Sequence, residues 1–290
     1  MLPALRLLRP HQYVKNSFIL LGLVFGHNLG LDIIRGAATA FVAFCMAASC
    51  VYTFNDIIDF PLDKLHPVKR RRPIASGEVA IPTAWTIAFV LGVAALGIAA
   101  TLGWSAAAII AAYLVTNLAY SLGLKHVVIL DVFIISSGFM LRILMGTSGI
   151  GIPPSQWLLL TGLMLTLFLG FAKRRAELIN LQNAGSASPS AIRRVLDDYS
   201  PAVLDQLTGI TAACAILCYG LYTVSPETVR VHHTNALFYT VPFVSYGIFR
   251  YLFLLHSRGR GNDTAKDLMA DPHLIATIIG WLALTLAILR

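Results

Sequence analysis

The chain has few charged residues for its length. Only 12% of its 290 residues are Asp, Glu, Lys or Arg, whereas 57% are hydrophobic and the mean hydropathy is +0.73. This composition is far from that of an ordinary soluble domain. No cleavable signal peptide is expected either, because residues 1–15 are basic and lack an apolar core followed by small residues.

Cysteine is also scarce, with only four residues in the chain. All four lie in apolar stretches, and no His or acidic residue stands beside them at the spacing of metal ligands. They are therefore predicted to be small buried hydrophobic residues rather than parts of a metal site. These residues are Cys45, Cys50, Cys214 and Cys218.

Long apolar segments, in contrast, are abundant. A membrane-spanning helix needs ~20 mostly apolar residues. Nine segments qualify, at 17–34, 36–54, 82–101, 104–122, 127–147, 156–173, 203–224, 235–255 and 272–289. The sequence thus predicts an all-α integral membrane protein, a single nine-helix transmembrane bundle over residues 1–290 with an interfacial segment at 1–15.

Positive charge is distributed unevenly among the connections. Most of the 22 Lys and Arg residues precede the first apolar segment or lie in four loops, at 55–81, 123–126, 173–202 and 256–271. Because cytoplasmic loops of membrane proteins are enriched in Lys and Arg, these loops are predicted to face the cytoplasm from a multi-pass protein of the cell (inner) membrane. The net charge of +8 suits anionic lipid headgroups, and no nucleic-acid partner is expected.

Negative charge gathers on the same side. Most of the 14 Asp and Glu residues lie in or next to these loops. The enrichment of cytoplasmic loops in Lys and Arg does not explain why the acidic residues lie there as well. Charges of both signs on one side of the membrane predict a polar site that opens to the cytoplasm. A transporter is disfavoured, because transporters usually show internal repeats and interrupted mid-membrane helices, and no convincing repeat is present.

The first loop carries an acidic motif. Asp56, Asp59 and Asp63 are spaced i, i+3 and i+7, so one helical face would bring their carboxylates together, with Asn55 one turn from Asp59. Like charges repel unless a cation sits between them, and hard oxygen ligands suit Mg²⁺ with phosphate oxygens. The alternative is a solvated acidic loop neutralised by the basic run at 69–72.

The second loop leads to an arginine within the membrane. Gly123 ends a helix and lets Lys125 swing toward the bundle axis, although a lysine at a membrane boundary commonly snorkels. Arg142 lies eleven residues past Asp131, on the same helical face and ~16 Å deeper. Because an intramembrane arginine is costly unless it faces a wet cavity or a partner, a polar pocket is predicted here.

The third and fourth loops are also charged. Lys173 and Glu177 are i, i+4 neighbours that share a face with Arg174, and a stop-transfer charge cluster is the alternative interpretation. The Gly-rich stretch at 258–271 suits either a mobile lid or a plain solvated loop.

Several of these segments resemble the UbiA superfamily of intramembrane prenyltransferases. The resemblance covers residues 5–290 and rests on Arg9-Pro10 with Lys15-Asn16, the Asn-Asp-x-x-Asp-x-x-x-Asp cluster at 55–63, the run from Arg70 to Gly77, and Tyr120 with Lys125. It implies a nine-helix bundle with Mg²⁺-dependent chemistry on an isoprenoid.

The chain departs from the aromatic prenyltransferases of that superfamily at one place. Those enzymes carry a second aspartate-rich motif after the sixth helix, where this chain has Lys173-Arg174-x-x-Glu177. Together with 124–126, 136–142 and 263–272, this pattern is similar to the decaprenyl-phosphate phosphoribosyltransferase branch. Members of that branch transfer 5-phosphoribose from phosphoribosyl diphosphate to a polyprenyl phosphate, which supplies arabinose donors for the arabinan of the cell wall.

The resemblance also implies roles for individual residues. One acidic motif with Mg²⁺ suits the diphosphate of such a donor, and a Lys/Arg cluster suits its lone 5-phosphate. The metal ligands are expected at Asp56, Asp59 and Asp63, and the catalytic residues at Asp56, Asp59, Lys125, Lys173, Arg174 and Glu177. Substrate contacts are expected at Lys15, Asn55, Lys69, Arg70, Arg71, Arg72, Tyr120, Lys125, Arg142, Lys173 and Arg174. An aromatic prenyltransferase is the alternative function, and a homo-oligomer is compatible with either.

Overall fold

The computed structural model describes residues 3–25, 30–65, 68–183, 196, 198–258, 261 and 269–289. Every regular element among them is a helix, which confirms the predicted all-α class. Eight helical segments among the described residues are long and apolar enough to cross a membrane, and two of them, Leu130–Ile150 and Ala236–Ser257, include an adjoining 3₁₀ segment. The α-helices are α1 (Pro3–Leu8), α2 (Leu21–Val24), α3 (Leu31–Ile58), α4 (Phe60–Leu65), α5 (Ile81–Leu102), α6 (Trp104–Leu122), α7 (Leu130–Met145), α8 (Gln156–Asn183), α9 (Pro201–Val224), α10 (Pro226–His232), α11 (Val241–Ser257) and α12 (Pro272–Leu289).

The chain is divided into two compact units. The first comprises Met1–Lys125 with Ser137–Pro154, and the second comprises His126–Ser136 with Ser155–Arg290. Helix α7 contributes its first turns to the second unit and the remainder to the first.

Small residues hold the first unit together. Ala40, Ala43 and Ala47 of α3 and Ala95 and Ala99 of α5 are fully buried in one apolar cluster. Small side chains let helix backbones approach closely, which is the usual way for membrane helices to gain packing energy. The four cysteines are free thiols; Cys45 and Cys218 are buried, as predicted, whereas Cys50 and Cys214 are only partly buried.

The second unit has its own apolar clusters. Phe168 and Ala172 of α8 pack with Ala212 of α9 and with Ile248 and Tyr251 of α11. The rings of Phe168 and Tyr251 meet edge to face at 5.5 Å between centroids. Helices α8 and α9 thus share a long packed interface that fixes the charged end of α8.

Two long helices extend further than predicted. Helix α3 continues to Ile58 rather than ending at 54, and α8 continues to Asn183 rather than ending at 173. No proline interrupts α3 before Pro61, and residues 172–178 of α8 are mostly strong helix formers. The loops predicted at 55–81 and 173–202 therefore begin inside helices. Residues 184–195, 197, 259–260 and 262–268, which include most of the predicted lid, lie outside the described residues.

The first predicted apolar helix, at 17–34, has a different form. Residues Pro10–Leu20 form a 3₁₀-helix that continues into α2, and α3 begins at Leu31. A helix with three residues per turn places Tyr13, Asn16 and Ile19 on one line. The Tyr13 hydroxyl lies 2.8 Å from Ser49 Oγ, the Asn16 amide donates to Cys45 Sγ at 3.2 Å, and Ile19 is fully buried. Tertiary contacts with a three-residue period thus account for the 3₁₀ form.

Gly22, which follows this 3₁₀-helix in the chain, packs against the backbone of Gly146. A Cβ added to Gly22 would lie 1.7 Å from the Gly146 carbonyl oxygen, and one added to Gly146 would lie 1.8 Å from the Ile19 carbonyl oxygen. The two backbones therefore approach each other as closely as only glycine allows.

We expect Gly146→Ala to destabilise the protein by about 1–3 kcal/mol or more, because the added methyl group meets backbone that cannot move aside. Thermal unfolding in detergent measures the effect. Gly97→Ala is the matched control, since no atom lies within 4 Å of its Cβ position, and it should be neutral or stabilising by up to about 1 kcal/mol. Equal melting temperatures for both variants would contradict this close approach.

Candidate functional site

The acidic motif lies where α3 ends and α4 begins. Asp56 is in the last turn of α3, Asp59 caps it with φ −80° and ψ −4°, and Asp63 lies in α4. The Asp63 N–H donates to the Asp59 carbonyl at 2.8 Å, so helical spacing continues across the junction. Pro61 has no N–H to donate, which explains the break between the two helices.

Arg72 joins two of the carboxylates. Its Nη1 donates to Asp56 Oδ1 at 3.0 Å and to Asp63 Oδ2 at 2.6 Å. Both aspartates are 2% exposed, whereas the Arg72 side chain is 26% exposed. Arg72 is extended after a 3₁₀ turn at Lys69–Arg71, and Pro73 follows it. Asp56 and Asp63 therefore lie close together, as their i, i+7 spacing predicts, and the group between them is the Arg72 guanidinium.

A second arginine reaches Asp56 from the start of the chain. Arg9 donates to Asp56 Oδ1, and its guanidinium lies 5.3 Å from the centroid of the Tyr52 ring. Its backbone is left-handed, with φ 52° and ψ 57°, which is uncommon for any residue but glycine. Sequence reasoning did not assign Arg9 to the site. The only signal was its position before Pro10, in the segment that carried the resemblance.

The third carboxylate faces a different partner. Lys125 Nζ lies 2.6 Å from Asp59 Oδ1, so the lysine expected to swing inward does reach the acidic motif. Ser121, near the end of α6, donates to Asn55 Oδ1 and fixes that amide. The junction of α3 and α4 thus meets the end of α6 through two polar contacts.

The remaining candidates of this unit lie around the motif. Among the described residues, the side chains that donate to the three aspartates are Arg9, Arg72 and Lys125. Arg70 and Arg71 are exposed, while Lys15, Lys69 and Tyr120 are partly buried. The structure therefore places one member of the basic run at the carboxylates.

The motif has the oxygen ligands that Mg²⁺ prefers, but they are paired with cations. Within the described part of the chain, no three His, Cys, Asp or Glu side chains are grouped closely enough to hold a metal ion as they stand. Arg72 holds Asp56 and Asp63, and Lys125 draws Asp59 toward α6. The donors nevertheless fit Mg²⁺ chemically. Arg72 Nη1 shows that a cationic group can lie within 3.0 Å of both Asp56 and Asp63.

Arg142 lies in a buried pocket of neutral groups. It is 4% exposed, and its guanidinium donates to Asn16 Oδ1 at 2.8 Å, to the Gly138 carbonyl at 2.8 Å and to the Tyr113 hydroxyl at 3.2 Å. Three rings also surround it, with centroids between 4.9 and 5.3 Å away: Phe44, Tyr113 and Phe139. Arg142 thus joins the 3₁₀-helix to α6 and α7, and its charge meets dipoles and aromatic faces rather than a carboxylate.

The second unit contains a buried ion-pair cluster. Arg174 is 1% exposed, and it donates through Nε to Asp131 Oδ2 at 2.6 Å and through Nη1 to Glu177 Oε2 at 2.5 Å. Lys173 is half-exposed, with Nζ 3.9 Å from Glu177 Oε1. Asp131 is therefore paired with Arg174, a contact that the sequence spacing did not reveal.

A tyrosine completes that cluster. The Tyr199 hydroxyl donates to Asp131 Oδ1 at 3.0 Å and accepts from the Ile129 N–H at 2.6 Å. Burial raises the pKa of Tyr199, so the hydroxyl keeps its proton. Ile129 has φ 68°, a strained conformation for a β-branched residue, and the Leu130 N–H closes a tight turn onto Val128 at 2.7 Å. Tyr199 thus holds a strained turn at the start of α7.

Two further ion pairs of this unit were not predicted from the sequence. Asp205 accepts from Arg175 and lies 3.0 Å from His256 Nε2. Asp271 accepts from Arg250 at 2.8 Å, and the hydrogen bonds from Arg250 lower the pKa of Asp271 to about 2. These pairs join α8 to α9 and α11 to the start of α12.

Sequence and structure comparisons agree with this architecture. The model of the UbiA prenyltransferase family matches residues 16–270. A decaprenyl-phosphate phosphoribosyltransferase from Mycolicibacterium smegmatis is 35% identical over 84% of this chain and 78% of its own length. A protein of the same description from Corynebacterium glutamicum is 32% identical over 96% of this chain and 83% of its own length.

A solved structure matches the whole chain in fold. It is a UbiA homolog from Archaeoglobus fulgidus bound to GPP and Mg²⁺, similar with a TM-score of 0.73 over 99% of both chains at 18% sequence identity. At that identity the likeness concerns the fold alone.

Proposed function

The chain belongs to the UbiA prenyltransferase family, and from that premise we propose that it transfers 5-phosphoribose from phosphoribosyl diphosphate to a polyprenyl phosphate, with release of diphosphate. The observation that carries this proposal is the similarity to decaprenyl-phosphate phosphoribosyltransferases over 84% and 96% of the chain. The replacement of a second acidic motif by Lys173, Arg174 and Glu177 supports it further.

The acidic motif is proposed to bind the diphosphate end of the donor. Asp56, Asp59 and Asp63 would hold Mg²⁺, with Asn55 oriented beside them by Ser121. When bound, Mg²⁺ would neutralise charge on the diphosphate as its bond to the ribose breaks. Arg72 and Lys125 lie at the carboxylates, and they would donate to phosphate oxygens once Mg²⁺ holds those carboxylates.

The reaction needs little proton transfer. A phosphate oxygen of the acceptor lipid attacks the anomeric carbon of the ribose while the bond from that carbon to the diphosphate oxygen lengthens. The nucleophile is already ionised, so no strong general base is required of the protein. Its contribution is to orient the two anions and to stabilise the departing one.

The basic residues of the second unit are proposed to bind a phosphate, with unequal roles. Arg174 is enclosed by Asp131 and Glu177, whereas Lys173 is 43% exposed. We therefore assign phosphate contact to Lys173 and a positioning role to Arg174, which orients Glu177. Arg142 is also enclosed, but the groups around it are neutral.

The first experiment separates this function from aromatic prenyl transfer. Purified protein with labelled phosphoribosyl diphosphate, Mg²⁺ and a set of polyprenyl phosphates should form a labelled lipid and release diphosphate. Asp59→Asn should lose nearly all turnover while keeping its melting temperature, because one ligand of the diphosphate site is lost. Turnover with a prenyl diphosphate and an aromatic acceptor instead, or full activity in EDTA, would contradict the proposal.

A second experiment tests the assignment of Lys173. Lys173→Gln should raise the KM for phosphoribosyl diphosphate at least about tenfold, because a charge-assisted hydrogen bond contributes roughly 1.5–3 kcal/mol. The KM for the lipid should change far less. Arg6→Gln is the control, since it removes a basic group of an exposed ion pair with Glu78. A rise in the KM for the lipid alone would assign Lys173 to the acceptor phosphate.

Topology is the remaining part of the proposal. We infer nine membrane crossings, the eight long helices and residues 10–24, with the charged loops in the cytoplasm. A 3₁₀-helix rises about 2.0 Å per residue, so this segment extends about 28 Å, close to the ~30 Å of the hydrocarbon core. Nine crossings also fit the distribution of Lys and Arg.

Cysteine labelling tests the crossing at 10–24. Ala4 and Asp32 are exposed on either side of it. In intact cells an impermeant maleimide should label Asp32→Cys, and it should label Ala4→Cys only after permeabilisation, because the two positions lie on opposite sides. The unmodified chain controls for the four native thiols. Labelling of both variants in intact cells would mean that residues 10–24 do not cross.

A further inference from the structure

The buried carboxylates of the acidic motif are already neutralised by side chains of the same unit. Asp56 accepts from both Arg9 and Arg72, Asp63 accepts from Arg72, and Asp59 pairs with Lys125. Three carboxylates thus face three cationic side chains. The contact is tight at Arg72, where one nitrogen atom is shared by two carboxylates at 2.6 and 3.0 Å.

A metal ion and these arginines would compete for the same oxygen atoms. A divalent cation that takes Asp56 Oδ1 or Asp63 Oδ2 must displace Arg72 Nη1, since two cations cannot share one small site. Displacement leaves a partly buried guanidinium without its acceptor, which is unfavourable in a low-dielectric environment. Metal binding alone therefore exchanges one cation for another, with little net gain in binding free energy.

A diphosphate changes this balance. Its oxygens are strong acceptors, and guanidinium groups pair with phosphate oxygens by charge-assisted, often bidentate hydrogen bonds. Asp56 and Asp63 would then hold the metal ion, while Arg9 and Arg72 would donate to the diphosphate. Every charge in the site has a partner again.

We propose that Arg72 and Arg9 are resident counterions of the acidic motif, so that the site accepts Mg²⁺ and a diphosphate together and Mg²⁺ alone only weakly. The inference rests on the proposed function only in that the acidic motif binds a magnesium diphosphate. It assigns to both arginines a second role, the exclusion of free metal.

Calorimetry on the purified full-length protein in detergent tests this. Mg²⁺ is titrated first alone and then in the presence of saturating inorganic diphosphate. The second titration is corrected for the formation of the Mg²⁺–diphosphate complex in solution. In the wild-type protein, diphosphate should tighten the apparent Mg²⁺ affinity at least about tenfold. In Arg72→Gln, Mg²⁺ alone should bind at least about tenfold more tightly than in wild type, and diphosphate should add little.

Arg6→Gln is the matched control, since Arg6 also pairs with a carboxylate at 2.9 Å but both side chains are more than a third exposed. It should behave as wild type. Should Arg72→Gln fail to fold, Arg9→Gln should show the same change, because Arg9 also donates to Asp56.

Unchanged or weaker Mg²⁺ affinity in the two site variants would overturn the proposal. So would a wild-type protein that binds Mg²⁺ equally well with and without diphosphate. Inorganic diphosphate is the leaving group of either kind of donor. A failure to transfer phosphoribose would therefore leave these affinities unaffected, and the two proposals can fail independently.

Discussion

A charged side chain in or beside the membrane interior must find a partner, and this constraint shapes the polar parts of both units. In the first unit, Asp56 and Asp63 are buried against Arg72 at the junction of α3 and α4. In the second, Arg174 is enclosed by Asp131 and Glu177. Two of these contacts join separate segments of the chain, since Arg72 lies 16 positions after Asp56 and Arg174 lies 43 positions after Asp131. The same contacts that make the charges tolerable therefore also hold the chain in its fold.

Arg142 meets the constraint in another way. Its guanidinium is surrounded by the Asn16 amide, the Tyr113 hydroxyl and aromatic faces, and among its described contacts no carboxylate compensates its charge. Cation–π attraction and oriented dipoles replace an ion pair here. Because no carboxylate competes for it, the guanidinium keeps its positive field. Arg142 is thus a buried positive charge whose described hydrogen-bond partners are all neutral.

The sequence was sufficient for some features because they depend on local spacing. Hydropathy located the long helices, and the i, i+7 spacing of Asp56 and Asp63 correctly placed the two carboxylates together. The sequence did not predict the contact of Arg9 with Asp56 or that of Asp131 with Arg174. These partners lie 47 and 43 positions apart, and such separations leave no periodic signal. Helix ends were also misplaced. Asp56 and the charged residues at 173–177 suggested loops, but no proline interrupts α3 before Pro61, and strong helix formers continue α8.

The residues from 10 to 24 show how contacts can override local propensity. An α-helix turns by about 100° per residue, so Tyr13 and Gly22 would lie on opposite faces of one. With three residues per turn, the 3₁₀-helix places Tyr13 on one line with Asn16 and Ile19, and α2, which contains Gly22, follows it directly.

The evolutionary consequence concerns insertions and deletions. In an α-helix, among length changes of fewer than seven residues, a change of four comes closest to preserving the buried face. In this segment, a change of three residues would do so, and a change of four would rotate every contact away from its partner. Length variation here is thus constrained to a unit of three.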